Sequence, residues 1–185
     1  MRMLKAIGFL VMLIALPVRA AGEDPPAVPK EIAVPAGHVQ VLMLHAKGVQ
    51  IYKSVAGKDG KLKWELEAPL ADLTDDKGAR VGHHFGEPAL GVSAWEANDG
   101  SRLVRDKAED VKSAPAKKPE TDIPWLLVRV KSDDGSPGAF AKVVYVQRIQ
   151  TEGGKAPANT PKRADTRIGV SYTATYVFYE PVKQK

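Results

Sequence analysis

The stretch Lys61 to Glu67 (KLKWELE) constrains this chain more than any other. Leu62, Trp64 and Leu66 alternate strictly with Lys61, Lys63, Glu65 and Glu67. A period of two with one apolar face is the pattern of a half-buried antiparallel strand. The run follows Gly57-Lys58-Asp59-Gly60, a hairpin signal with glycine where a positive φ is required. The same grammar recurs along the chain. His38 to His45 (HVQVLMLH) and Gly48 to Ser54 (GVQIYKS) read as two strands, with a turn at the glycine between them. Ser101 to Val104, Ile123 to Val130 and Ile168 to Tyr179 are further strand signals, and Phe140 to Ile149 has the look of a long central strand. Asp75-Asp76-Lys77-Gly78, Asn98-Asp99-Gly100 and the Asp133–Gly138 run (DDGSPG) supply turns. Residues 106–120 and 153–165 read as irregular, exposed connections. No long 3.6-residue periodicity occurs. The class that follows is all-β, an antiparallel β-sandwich or barrel of roughly 8–10 strands in a single domain.

The beginning of the chain has a different character. Arg2 and Lys5 precede an unbroken apolar run from Ala6 to Leu16, and Val18 and Ala20 stand where a signal peptidase reads small residues. Residues 1–20 are therefore expected to be a signal peptide; the apolar run is shorter than the ~20 residues that span a bilayer. Residues 21–36, rich in proline and acid, read as an extended leader, and 37–185 as the domain. The expected location is periplasmic or secreted. With no cysteine in the sequence, an exported chain has neither disulfides nor thiolate metal sites, so its fold rests on an apolar core. About 165 residues suffice for one such core. The net charge of +5 falls to +2 once Arg2, Lys5 and Arg19 leave with residues 1–20, which hold no acid. So small an excess gives no reason to invoke nucleic acid, and Lys112, Lys117 and Lys118 read as a solvated loop.

Candidate chemistry concentrates between Val81 and Ser101 (VGHHFGEPALGVSAWEANDGS). Adjacent residues on a strand point to opposite faces, so His83 and His84 cannot both enter one pocket. One of the two is therefore a candidate. No H-x-H or H-x-x-x-H spacing occurs, and no metal site is expected. Trp64 shares a face with Leu62 and Leu66 and is assigned to the core, as is Trp125, which precedes two leucines. Trp95, among polar residues beside a glycine turn, is the candidate for an exposed, ligand-facing aromatic. In FAKVVYVQRIQT, Val144, Val146, Arg148 and Gln150 share one face and Tyr145, Gln147 and Ile149 the other. An arginine in register with valines is either at a solvated strand end or paired with a buried acid, and Asp72 and Asp99 are the candidate partners. The turn carboxylates Asp75, Asp76 and Asp99 also suit backbone capping. No G-x-S-x-G elbow and no strand-borne G-x-G-x-x-G occur, so neither a nucleophile elbow nor a dinucleotide cofactor is indicated.

Several segments, taken in order, resemble one family. They are Gly48-Val49-Gln50-Ile51-Tyr52, Trp64 with Ala68–Leu73, Val81-Gly82 with His84-Phe85, and Asp99-Gly100-Ser101. Ile123–Leu127, Tyr145–Ile149 with Thr151, Gly153–Pro157 and Tyr172–Tyr176 complete the set. In that order they are similar to the domain of unknown function 3455 family of exported bacterial and fungal proteins, over about Gly37 to Tyr179. Many members carry cysteines near the positions held here by Ser54 and Pro161. The family's tryptophan follows its histidine more closely than Trp95 follows His84. The resemblance implies no activity.

The combined expectation is a non-catalytic cell-envelope or extracellular binding module. Its ligand is a carbohydrate or other small polar molecule, held around His84, Trp95, Asp99 and Arg148 without a cofactor. A hydrolase acting on envelope or extracellular polysaccharide requires carboxylates converging across a cleft. A structural or protein-interaction domain requires no pocket.

Overall fold

The computed structural model describes residues 26–133, 135 and 137–183; the expected signal peptide lies outside them. Nine strands follow a 3-10 turn at Lys30–Ile32: β1 (His38–Ala56), β2 (Leu62–Thr74), β3 (Arg80–Glu87), β4 (Val92–Ala97), β5 (Arg102–Arg105), β6 (Lys112–Ala114), β7 (Trp125–Ser132), β8 (Tyr145–Gly153) and β9 (Arg167–Pro181). All pairings are antiparallel, in the order β5-β4-β3-β2-β1-β9-β8-β7-β6. The second half of β7 also pairs with β5, so the sheet closes into a ring. β6 pairs with the first half of β7. Closure leaves the ring strands paired on both sides, which is how an antiparallel sheet removes its sticky edges.

β1 is one strand of 19 residues, not two. Gly48, where a turn was expected, lies in mid-strand opposite Ala71. A Cβ built there would stand 2.1 Å from the Leu70 carbonyl oxygen and 2.4 Å from the Ala71 Cα. The glycine permits close backbone approach where the sheet curls, a second meaning of glycine in a strand. The turns at Gly57–Gly60, Asp75–Gly78 and Asn98–Gly100 are where the sequence placed them. Phe140 is not in a strand. β8 begins only at Tyr145, and Phe140 instead stacks on Phe178 from the preceding loop, ring centroids 4.8 Å apart.

β2 shows what alternation leaves out. Its register with β1 slips between Ile51 and Tyr52, whose partners are Ala68 and Leu66, leaving Glu67 as a bulge. An extra residue exchanges the two faces of a strand. Paired residues share a face, so Leu66 and Trp64, opposite Tyr52 and Ser54, lie on the same side as Ala71 and Leu73. Ala71 and Leu73 enter the core, whereas Leu66 is exposed and Trp64 only half-buried because β3 covers β2 only from Leu70 onward. The Trp64 indole Nε1–H donates to the Asn159 carbonyl at 3.0 Å, in the part of the hairpin that overshoots the ring. The Arg167 guanidinium holds the Glu67 carboxylate through two bonds of 2.7 and 2.8 Å.

Two apolar bodies hold the ring. Inside, Leu44, Leu73, Leu103, Val130, Phe140 and Phe178 fill one end. Outside, Ile32 and its neighbours Val28 and Val34 lie against the backs of β7, β8 and β9, on Trp125, Tyr145, Ile149 and Tyr179. The proline-rich leader is extended in backbone, with Pro29 at φ −56° and ψ 146°, and from Val28 onward it is docked.

Candidate functional site

The other half of the ring interior is polar. Inward positions of β1 pass from Leu44 and Ala46 to Gln50, Tyr52 and Ser54, all buried. β9 does the same in reverse, from Phe178 through Tyr176 to Tyr172. β3 contributes His84, β4 Trp95 and Ser93, β5 Arg105 and β8 Arg148. A cavity of about 130 Å³ lies among His84, Trp95, Arg105, Arg148 and Tyr176, with Val111, Leu126 and Val128 as its apolar wall.

His84 and Trp95 are directly paired across β3 and β4 and stack with ring centroids 4.5 Å apart and planes 15° from parallel. Tyr176 meets the His84 ring edge-on at 5.1 Å. The His84 Nδ1–H donates to the Ala94 carbonyl at 2.8 Å, which leaves Nε2 as the unprotonated nitrogen of a neutral ring. Burial is the main cause, and the positive charge of Arg148 adds to it: the His84 pKa is lowered to about 3. His83 is on the outer face, stacked on Phe85, as alternation requires.

Arg148 is 9% exposed. Its Nε and Nη2 both donate to the Pro124 carbonyl, at 3.2 and 2.9 Å. It makes no ion pair among the described residues. The expected partners are engaged elsewhere: Asp72 accepts from Arg80 at 2.7 Å on the outer surface. Asp99 accepts from the Ser101 amide and hydroxyl and from the Ala139 amide, at 2.9, 2.6 and 2.7 Å. Those bonds hold the Asp99 carboxyl below the usual carboxylate range and pin the Phe140 loop over the apolar end of the ring. Asp99 is thus separated from His84, Trp95 and Arg148, which the fold does bring together. Trp95 is not an exposed platform; at 2% exposure it is part of the interior.

Sequence reasoning missed Arg105, Tyr172, Tyr176 and Gln50. Five buried polar atoms of this half make no hydrogen bond: Gln50 Nε2, Trp95 Nε1, Arg105 Nε and the hydroxyls of Tyr172 and Tyr176. The two tyrosines, Gln50 and Arg148 lie close enough to interact with one another, but not in the alignment of a good hydrogen bond. Burial pushes both phenols well above their ordinary range. The one signal in the sequence was the spacing of tyrosines at 172 and 176, an even interval that puts both on one strand face.

The segment before β7 closes this end. Asp122 accepts from the Gly153 amide at 2.8 Å, Thr151 donates to the Ile123 carbonyl at 2.5 Å, and Tyr52 donates to the Gly154 carbonyl at 2.8 Å. A Cβ at Gly154 would lie 2.8 Å from the Tyr172 Cβ and 3.3 Å from the Gln50 side chain, so only glycine lets the loop seat there. A larger groove of about 690 Å³ runs outside the ring past His45, Thr121 and Thr175. It is open, and its side chains satisfy one another: His45 with Asp76, Thr121 with Asp122, Thr175 with Gln150. Among the described residues, no group of three His, Asp or Glu side chains gathers as metal ligands would, and no helix is long and apolar enough to cross a membrane.

A family model described as "Protein of unknown function (DUF3455)" matches residues 35–180. No curated protein and no solved structure matches the chain.

Proposed function

The chain belongs to the DUF3455 family, proteins of unknown function, and from that premise we propose that it is a non-catalytic binding module which takes a small polar ligand into the ring. The observation that carries this reading is the set of buried, unpartnered polar atoms around the cavity at His84, Trp95, Arg148 and Tyr176. An unmade buried hydrogen bond costs ~1–3 kcal/mol, so several in one place are a standing demand for a partner. A volume of about 130 Å³ is below the ~300 Å³ where drug-sized pockets begin. That favours a ligand of few heavy atoms over a sugar chain. No described carboxylate lines the cavity, which withholds support from a glycosidase arrangement of two acids. The signal peptide expected in residues 1–20 supports placing the module in the periplasm or outside the cell.

The test is thermal unfolding against a panel of monosaccharides, polyols, sugar acids and short organic acids. A ligand at about 100 times its Kd adds roughly 2.7 kcal/mol, which appears as a higher midpoint. Trp95→Phe, which keeps a ring and removes the Nε1 donor, is expected to reduce that shift. A panel with no shift would return the polar interior to a purely structural role. Asp99→Ala is expected to cost ~1–2 kcal/mol through its lost loop bonds and to leave every ligand-induced shift as it was.

A further inference from the structure

We propose that the ligand of this cavity is a small organic carboxylate, bound by Arg148 and Arg105 inside the ring. The inference rests on the binding reading above and adds the charge of the ligand to it.

The argument starts from Arg148. A guanidinium has five N–H donors and no acceptor. Here two of its nitrogens serve one carbonyl, that of Pro124, and beyond that the guanidinium has only the neutral Tyr176 phenol within reach. A buried cation is normally paired, yet no described carboxylate shares the cavity with Arg148. Arg105, from β5, lines the same cavity; its side chain makes no hydrogen bond or ion pair among the described residues, and its buried Nε is without a partner. Of the other polar groups at the space, His84 Nε2 is an acceptor, and two are donors. Trp95 Nε1 is a donor only, and the Tyr176 hydroxyl has a proton to give. A site furnished with two guanidinium groups and two further donors is complementary to an anion rather than to a neutral polyol. The guanidinium fork fits two oxygens on one carbon.

The walls choose among anions. Val111, Leu126, Val128 and the Tyr176 ring face the space beside the arginines, which suits a short hydrocarbon body and does nothing for a symmetric oxyanion. Ser93 and Arg105 also border a second, outer recess of about 540 Å³ that includes Leu66, Ala68 and Pro69. Arg105 therefore stands between the cavity and the rim. A chain longer than the inner space holds would continue past it over Leu66, Ala68 and Pro69, with Glu67 and Glu87 also on that recess.

The test uses the purified protein, calorimetry and thermal unfolding. The probes are sodium acetate, propionate, butyrate and hexanoate, the matching neutral amides, and sulfate and phosphate, all at constant ionic strength. Carboxylates are expected to raise the midpoint and release heat, with affinity rising from acetate to butyrate, while the amides bind at least about tenfold more weakly. Arg148→Met is expected to lower carboxylate affinity by about 100-fold; because it also gives up both bonds to the Pro124 carbonyl, its ligand-induced shift is read from its own unliganded midpoint. Arg105→Gln, at the rim and so tolerant of change, is expected to lower affinity about tenfold. Amides or neutral sugars binding as well as the acids would overturn the carboxylate assignment and leave the binding reading intact. Sulfate or phosphate binding more tightly than butyrate would overturn it in favour of an inorganic oxyanion. Carboxylate affinity unchanged in Arg105→Gln and Arg148→Met would remove the site from this cavity. No binding by any probe, together with no shift across the wider panel, would overturn both readings.

Discussion

Lowering the pH from 7 to 5 is expected to cost the fold about 2 kcal/mol through His84 alone. The sign follows from where the proton goes. In the folded protein His84 stays neutral down to about pH 3, held so by burial and by Arg148; in the unfolded chain it takes a proton below about 6.5. Between those values the unfolded state binds one proton more than the native state, so stability falls as pH falls, by ~1.4 kcal/mol per unit. Its contribution is complete above pH 6.5 and is lost progressively down to about pH 3. Asp99, Asp122, Asp165 and Glu67 have lowered pKa values; their contributions are lost only below their unfolded values near 4, so they begin to act where the pH-5 measurement ends. For a chain this size ~2 kcal/mol corresponds to a midpoint lower by about 5 °C. Urea unfolding of the wild type and His84→Phe at pH 7, 6 and 5 checks it. The variant forfeits the bond to Ala94 and is less stable at pH 7, but its stability is expected to change by at least ~1.5 kcal/mol less across that range. Parallel slopes would mean that His84 can take a proton in the folded state.

This acid sensitivity and the proposed ligand site come from one cause. A ring interior that buries Arg148 with no acid beside it disfavours a second positive charge on His84. Sequence alone showed both residues and the face that each occupies: His84 opposite His83, and Arg148 in register with Val146 but not with Tyr145, Gln147 or Ile149. It did not show which groups would meet inside. Arg148 was expected to find Asp72 or Asp99 because a buried guanidinium ordinarily has a carboxylate. The fold instead gives Asp72 to Arg80 and Asp99 to the Phe140 loop, and no local pattern records that choice.

The all-β class was legible because hairpin turns are written in short words, such as GKDG and DDKG, and because strands alternate. The errors lie where alternation is interrupted by tertiary geometry. Gly48 has the local appearance of a turn, and only the proximity of Ala71 makes it a strand residue. Leu66 and Trp64 look like core and do lie on the inner side, but β3 covers β2 only from Leu70 onward and leaves them uncovered. Trp95, set between Ala94 and Glu96, looks exposed until β3, β5 and β9 surround it. In each case the missing fact was which strands lie alongside and how far they extend, which a window of neighbours does not contain.

Ile32→Ala is expected to cost 2–5 kcal/mol, the range for emptying a fully buried isoleucine site. The residue lies in a leader whose prolines and acids suggest a tether, yet it is 0% exposed, set into the outer faces of β7, β8 and β9 beside Tyr145, Ile149 and Tyr179. A polar latch accompanies the apolar one. The buried Gln147 side-chain amide donates to the Ile32 carbonyl at 2.7 Å, and the Tyr179 hydroxyl donates to the Gln147 carbonyl oxygen at 2.9 Å. If the leader detached, Gln147 would lose its backbone acceptor and the apolar backs of three strands would meet water. Removing residues 26–36 is therefore expected to destabilise at least as much as Ile32→Ala and to expose surface that binds a hydrophobic dye. Chemical unfolding of the two variants beside the wild type measures both effects. A loss below ~1 kcal/mol for Ile32→Ala would mean that the ring stands without its strap. Because the strap grips the outside of β8, whose inner side presents Arg148, its loss is also the perturbation that reaches the candidate site from behind, through Gln147 and the strand they share.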